Sequence, residues 1–213
     1  MSILLENGRY YHIYNRGNNK DVMFQTSSDY LYFMKLYKIF ISGIADTLSW
    51  CLMKNHFHFL VRIKDDDEIG YLNPANANSR NLADKWNLYS HTFLGKNNVV
   101  RPKPGMQFKH LFSTYTLHCN GVYKRTGSVI EKKYERVLVE NDDYLTTLFL
   151  YINFNPVKHS ICKYAEKYKW SSCKSLISGK NDGITNIAFM KQFFESSDNF
   201  KFSIDNYSPT DLI

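Results

Sequence analysis

Aromatic and polar positions alternate along residues 9–15 (Arg-Tyr-Tyr-His-Ile-Tyr-Asn), the period of two that a half-buried strand requires. Arg16-Gly17-Asn18-Asn19-Lys20 then reads as a turn. A helical period takes over next. With Ser27 or Ser28 as the cap, Leu31, Phe33, Met34, Leu36, Tyr37 and Phe40 predict a helix through about Ile41, ended by Gly43. Two strands follow at 46–53 and 56–63, joined tightly at Lys54-Asn55 as a hairpin. The pattern lapses over 64–105, a polar stretch with an Asp65-Asp66-Asp67-Glu68 run, several Asn, and Pro102 and Pro104 near its end. It is expected to be a partly helical insertion within the domain. Periodicity returns as a helix over 106–122, a Lys124-Arg125-Thr126-Gly127 turn and a strand near 134–140. A helix capped by Asn141 or Asp142 then runs to Asn155-Pro156. Residues 157–213 are mixed, with Trp170-Ser171-Ser172 and an aromatic amphipathic stretch at 187–200. The order β-α-β-β-α-β-α predicts an α+β fold, an antiparallel sheet with helices packed against it.

Composition narrows the partner. The 213 residues are 44% hydrophobic, enough for one compact domain with a real core. Lys and Arg number 27 against 20 Asp and Glu, a formal charge of +7 that favours a polyanionic partner. The 16 Tyr and 15 Phe, many beside Lys or Arg, suit stacking on the bases of a single strand, although the same aromatics also fill a core. Cys51, Cys119, Cys162 and Cys173 form no CxxC pair and read as reduced thiols. The first residues lack the pattern of a signal peptide, and no apolar run reaches the ~18 residues that span a bilayer. The expectation is a soluble, cytoplasmic protein.

Two short segments carry candidate chemistry. In a strand over His56-Phe57-His58-Phe59-Leu60-Val61, Phe57, Phe59 and Val61 point one way, and His56, His58, Leu60 and Arg62 the other. Imidazoles at i and i+2 stand about 7 Å apart at Cα, near enough to converge on one metal ion. Alone, such a pair is more often two surface or packing histidines. In the helix from Asp142, Leu145, Leu148, Phe149 and Ile152 form an apolar face, and Tyr144, Tyr151 and Asn155 share one flank of it. Alone, Tyr151 also fits a boundary residue and Asn155 a stop before Pro156.

Together these segments resemble a known family. Lys54-Asn55-His56-Phe57-His58-Phe59-Leu60-Val61 is similar to the His-hydrophobic-His motif of the HUH endonucleases. Tyr151-Ile152-Asn153-Phe154-Asn155-Pro156-Val157-Lys158 resembles the Tyr-Ile-x-x-Asn-Pro-Val-Lys signature of the REP-associated tyrosine transposases. Tyr11-His12-Ile13-Tyr14-Asn15-Arg16-Gly17, Phe112-Ser113-Thr114-Tyr115, Asn120, Tyr123 to Ser128 and Trp170-Ser171-Ser172 match further elements in the family's order. The resemblance implies a ferredoxin-like HUH core over residues 1–179, with 64–105 as an insertion and 180–213 as a C-terminal extension packing on or near it. It implies that His56 and His58 bind Mg²⁺ or Mn²⁺ with Asn155 as third ligand, and that Tyr151 is the nucleophile. The implied activity is cleavage and strand transfer on single-stranded hairpin DNA through a 5′-phosphotyrosine, by a monomer associated with the nucleoid. Asn15, Arg16, Lys20, Lys54, Arg62, Lys124, Arg125 and Lys158 become candidate DNA contacts, with Asn15 and Arg16, in a loop beside the first strand, as the preferred base readers. Tyr14, Tyr115 and Tyr123 are candidates for stacking on bases, with core packing as the alternative.

Three alternatives stand beside this reading. A replication initiator or relaxase shares the metal chemistry but takes its tyrosine from near the N-terminus, where Tyr10, Tyr11 and Tyr14 lie. It typically adds a third metal histidine, and none follows the hairpin at suitable spacing before His91. A non-catalytic nucleic-acid-binding relative needs neither the histidines nor Tyr151. A plain metallohydrolase would turn over without covalent attachment.

Overall fold

The computed structural model describes residues 4–69 and 101–208. Its elements are β1 (Tyr10–Arg16), α1 (Ser27–Ile41), β2 (Ala45–Met53), β3 (His56–Ile63), α2 (Pro104–Val122), β4 (Glu135–Val139) and α3 (Asp142–Lys158). Three shorter helices follow: α4 (Cys173–Ser178), α5 (Ile187–Phe194) and α6 (Ser197–Asp205). The sheet order is β2-β3-β1-β4, with every neighbouring pair antiparallel. Strands β1 and β2 run the same way with β3 inserted between them, the split βαβ arrangement of a ferredoxin-like fold. Most of the predicted 64–105 insertion lies outside the described residues.

Strand β3 is buried on both faces, and each face has its own core. Phe57, Phe59, Val61 and Ile63 pack with Phe33, Tyr37 and Phe40 of α1 and with Phe108, Leu111 and Tyr115 of α2. On the other face, Leu60 of β3 and Leu48, Cys51 and Met53 of β2 meet Leu145, Leu148, Phe149 and Ile152 of α3. Met190, Phe194, Phe200 and Ile204 of the tail complete that second layer. At ~25 cal/mol per Å² of apolar surface removed from water, burial on both faces is what holds the central strand in place.

The local signals explain the ends of the elements and a few departures. Helix α1 is capped by Thr26, not by Ser27 or Ser28, because Asp29 reaches back from its first turn to accept hydrogen bonds from the Gln25 and Thr26 N–H groups. Helix α3 is capped by Asn141, whose side chain accepts from the Tyr144 N–H at 2.8 Å. It continues past the expected stop at Pro156 to Lys158, since proline withholds only one N–H and the His159 N–H still bonds the Asn155 carbonyl at 3.0 Å. The amphipathic stretch at 187–200 is two helices, broken at Glu195 (φ 62°) and restarted by Ser196, which caps α6 through the Asn199 N–H.

The outer edge of β2 is covered. Ser171 bridges Cys51 and Thr185 bridges Thr47, and the Asn186 N–H donates to the Thr47 carbonyl at 2.7 Å. The Trp50 indole N–H donates to the Thr185 hydroxyl at 3.1 Å. Sealing an edge in this way removes a template for pairing with another chain. No described helix is long and apolar enough to cross a membrane.

Candidate active site

The register of the sheet sets the histidines. His58 lies opposite Tyr14 of β1 and Cys51 of β2, and His56 lies opposite Arg16 and Met53. Residues directly opposite share a face, so Tyr14 and both histidines look towards α3. The His56 Nδ1 lies 2.8 Å from the Asn55 Oδ1. An amide oxygen only accepts, so the ring donates there and its Nε2 keeps a free lone pair. His58 has a different partner: its Nδ1 lies 3.0 Å from the Nε2 of His12, a buried residue on β1. Burial pulls the pKa of His12 from 6.5 down to about 4. Burial does the same to His56, helped by neighbouring His159. His58 is pushed well below its usual value, first by burial and then by the surrounding imidazoles. All three rings are therefore neutral at physiological pH, the state in which an imidazole nitrogen can ligate a metal.

The opposing residues come from α3, whose rotation is fixed by a buried polar chain. Asn153 donates to the Ser49 hydroxyl of β2 at 2.8 Å and to the Phe149 carbonyl at 2.9 Å. Its side-chain oxygen accepts from the Ser172 hydroxyl at 2.9 Å, and Ser172 in turn accepts from the Trp50 N–H at 3.0 Å. Asn153 and Ser172 are both fully buried, so each bond is expensive to lose. With Asn153 anchored, Tyr151 and Asn155 fall on the histidine side. The Tyr151 ring stands 5.8 Å from that of His58 and 6.4 Å from that of His12, edge-on to both. The Lys158 ammonium lies 5.1 Å from the centre of the Tyr151 ring. Asn155 donates to the Tyr151 carbonyl at 3.0 Å, while its Oδ1 is buried and has no hydrogen-bond partner among the described residues.

His56, His58, Tyr151 and Asn155 line one cavity of about 590 Å³, together with Tyr14, Asn15, Arg16, Lys20, Asn55, Glu131, Glu135 and His159. Of the candidate DNA contacts, Asn15, Arg16 and Lys20 reach it. Asn15 and Arg16 are not in a loop, however, but end β1. The Asn15 amide is buried and committed to the Glu131 carbonyl and the Arg16 N–H, so it shapes the rim instead of facing a ligand. Arg16 is more than half exposed and pairs with Glu131 at 2.6 Å. Arg62 sits at the far end of β3, clamped by Asp46, Asp65 and Glu68 beneath the Phe189 ring. That ion cluster accounts for part of the acidic run and takes Arg62 away from the cavity. Lys54, Lys124 and Arg125 lie outside the lining, and Lys158 is exposed beside Tyr151. Among the candidate stacking residues, Tyr115 is fully buried with its hydroxyl on the Met23 carbonyl, and Tyr123 donates to Asp29. Tyr14 alone of the three lines the cavity.

Among the described residues no group of three or more His, Cys, Asp or Glu is arranged to hold a metal ion. The His56 and His58 imidazoles, 5.2 Å apart at their ring centres, and the Asn155 oxygen line the same cavity and could serve as a mixed N/O donor set for a hard divalent cation. A buried amide oxygen without a hydrogen bond is costly, and a cation is one partner that would satisfy it. His12, Asn55 and His159 join the site although sequence patterning did not single them out. His12 shares the strand period of Tyr14, but only the β1–β3 register brings it against His58.

No family model matches the chain, and no curated protein matches it in sequence. Its structure is similar to that of a REP-associated tyrosine transposase bound to a REP hairpin, at a TM-score of 0.56 and 12% identity, covering 88% of each chain. At that identity the likeness speaks for the fold. The class is therefore an α+β protein with an antiparallel, ferredoxin-like sheet, a fold it shares with that transposase.

Proposed function

We propose that this chain is a metal-dependent single-strand DNA endonuclease and strand transferase that acts on hairpin DNA through a 5′-phosphotyrosine intermediate. The observation that carries the reading is the meeting of Tyr151 and the unpartnered Asn155 oxygen with His56 and His58 in one cavity. Held by His56, His58 and Asn155, Mg²⁺ or Mn²⁺ would polarise a phosphodiester oxygen and offset charge developing at phosphorus. The Tyr151 phenolic oxygen attacks phosphorus, and the bond to the 3′-oxygen breaks. The products are a 5′-phosphate joined to Tyr151 and a free 3′-hydroxyl, which receives the proton the phenol gives up. A second 3′-hydroxyl can attack the phosphotyrosine in reverse, which joins strands without an external energy source. Arg16 and Lys20 in the cavity lining and Lys158 beside Tyr151 would meet the phosphates, and Lys54, Lys124 and Arg125 would add contacts to the hairpin. The setting is cytoplasmic, at the nucleoid.

Denaturing electrophoresis of oligonucleotides labelled on either side of the cut tests this directly. Tyr151→Phe should bind DNA as the parent does, yet lose both cleavage and the covalent adduct. A persisting adduct defeats the assignment. One observation favours a second reading. Tyr14 shares the cavity, its ring 5.8 Å from that of His58, and so stands where a relaxase-like enzyme carries its nucleophile. An adduct mapping to Tyr14 would establish that reading instead.

A further inference from the structure

His12 is almost fully buried, between the rings of Tyr14 (4.8 Å) and Tyr151 (6.4 Å), and its Nδ1 has no hydrogen-bond partner among the described residues. A phenylalanine would fill the same space and strand no polar atom. A histidine at such a place is explained by what its other nitrogen does. That nitrogen lies 3.0 Å from the Nδ1 of His58 and makes the only hydrogen bond of the His58 ring to a described residue. One proton lies between the two rings, and its position decides which nitrogen of His58 keeps a lone pair. On His58 Nδ1, it leaves Nε2 free as a ligand. On His12 Nε2, it forces the His58 proton onto Nε2 and closes that nitrogen to a metal.

We propose that His12 is a positioning residue: its Nε2 accepts from His58 Nδ1, fixing both the ring orientation and the tautomer that keeps His58 Nε2 available to the cavity. Metal-bound histidines commonly donate their second N–H to a carboxylate or a carbonyl. Here a second imidazole fills that role from the neighbouring strand, just as Asn55 fills it for His56. The two ligand histidines are thus held by different partners, one on the hairpin turn and one on β1. The proposal rests on the metal-dependent reading above for its purpose, but its geometry stands without it.

The test combines ¹⁵N-resolved NMR of the His58 ring in the metal-free full chain with titration of Mn²⁺ alone. His12→Phe keeps the ring packing and removes the acceptor, and His12→Gln restores an acceptor oxygen at similar reach. In the parent, His58 should carry its proton on Nδ1. In His12→Phe that proton should move to Nε2, and Mn²⁺ affinity should fall about 10- to 100-fold. His12→Gln should recover most of both. Should His12→Phe fail to fold, His12→Leu, which also lacks an acceptor, takes its place. An unchanged His58 tautomer and unchanged Mn²⁺ affinity in the acceptor-less variant would overturn the proposal. A parent protein that takes up no Mn²⁺ would instead defeat the metal reading, and the NMR result alone would then decide the role of His12.

Discussion

At the scale of residues, the proposed chemistry calls on side chains kept in states that water would not favour. His12 and His56 are each drawn by burial from 6.5 to about 4. Between those values the unfolded chain binds protons that the folded chain refuses, so stability rises with pH across that window. It should be full above ~6.5 and drain away as pH falls towards ~4. Thermal melting of the metal-free protein should therefore shift down between about pH 7 and about pH 5, and less so in His12→Phe. A melting temperature indifferent to pH over that range would mean that the rings are solvated. The histidine pair and the Tyr151–Asn155 pair were legible in sequence because each lies within one element at a fixed spacing. His12 was not, because strand register is a property of two segments at once. The fate of Arg62 was hidden for a similar reason. Three carboxylates from two segments claim it: Asp65 and Glu68 lie in the acidic run just after it, but only the β2–β3 register brings Asp46 opposite.

At the scale of elements, helix α3 and the segment after it carry the alignment. Their order and approximate ends followed from periodicity and caps, while the continuation beyond Pro156 and the break at Glu195 turned on single backbone bonds that periodicity does not register. The Trp170-Ser171-Ser172 stretch has a physical role that its sequence does not declare. Ser172 is the middle link between the Trp50 N–H and Asn153. Asn153→Leu strands the Ser49 hydroxyl in the interior, takes one of its partners from Ser172, and should cost about 1–3 kcal/mol of stability. It should also reduce cleavage more than that loss explains, because the helix that aims Tyr151 is free to turn. Ser172→Ala should do the same to a smaller degree. Chemical denaturation paired with single-turnover cleavage tests both. A variant that loses stability yet cleaves at the parental rate would show that the chain of hydrogen bonds holds the helix down without aiming it.

At the scale of the whole molecule, one chain supplies the histidines, the tyrosine and the asparagine, and its tail seals both the second core and the β2 edge. A monomer acting in cis is the expected active form, and sedimentation at micromolar concentration should find a single small species. A stable dimer would call for exchange of α3 between copies. The net charge of +7 predicts hairpin binding that weakens steeply with salt, as displaced counterions return to the phosphates, and that exceeds binding to blunt duplex. Equal binding of the two would leave the basic surface without a preference for hairpins. The proposed catalytic groups are themselves divided: the histidines belong to the sheet, which α1 and α2 back from the other side, while Tyr151 and Asn155 ride on a helix held by the second core and the Asn153–Ser172 chain. The two halves of the machine can therefore part company before either comes undone. Warming the protein, or hollowing the second core with Phe200→Ala, should open an interval in which circular dichroism still reports a folded chain that no longer cuts.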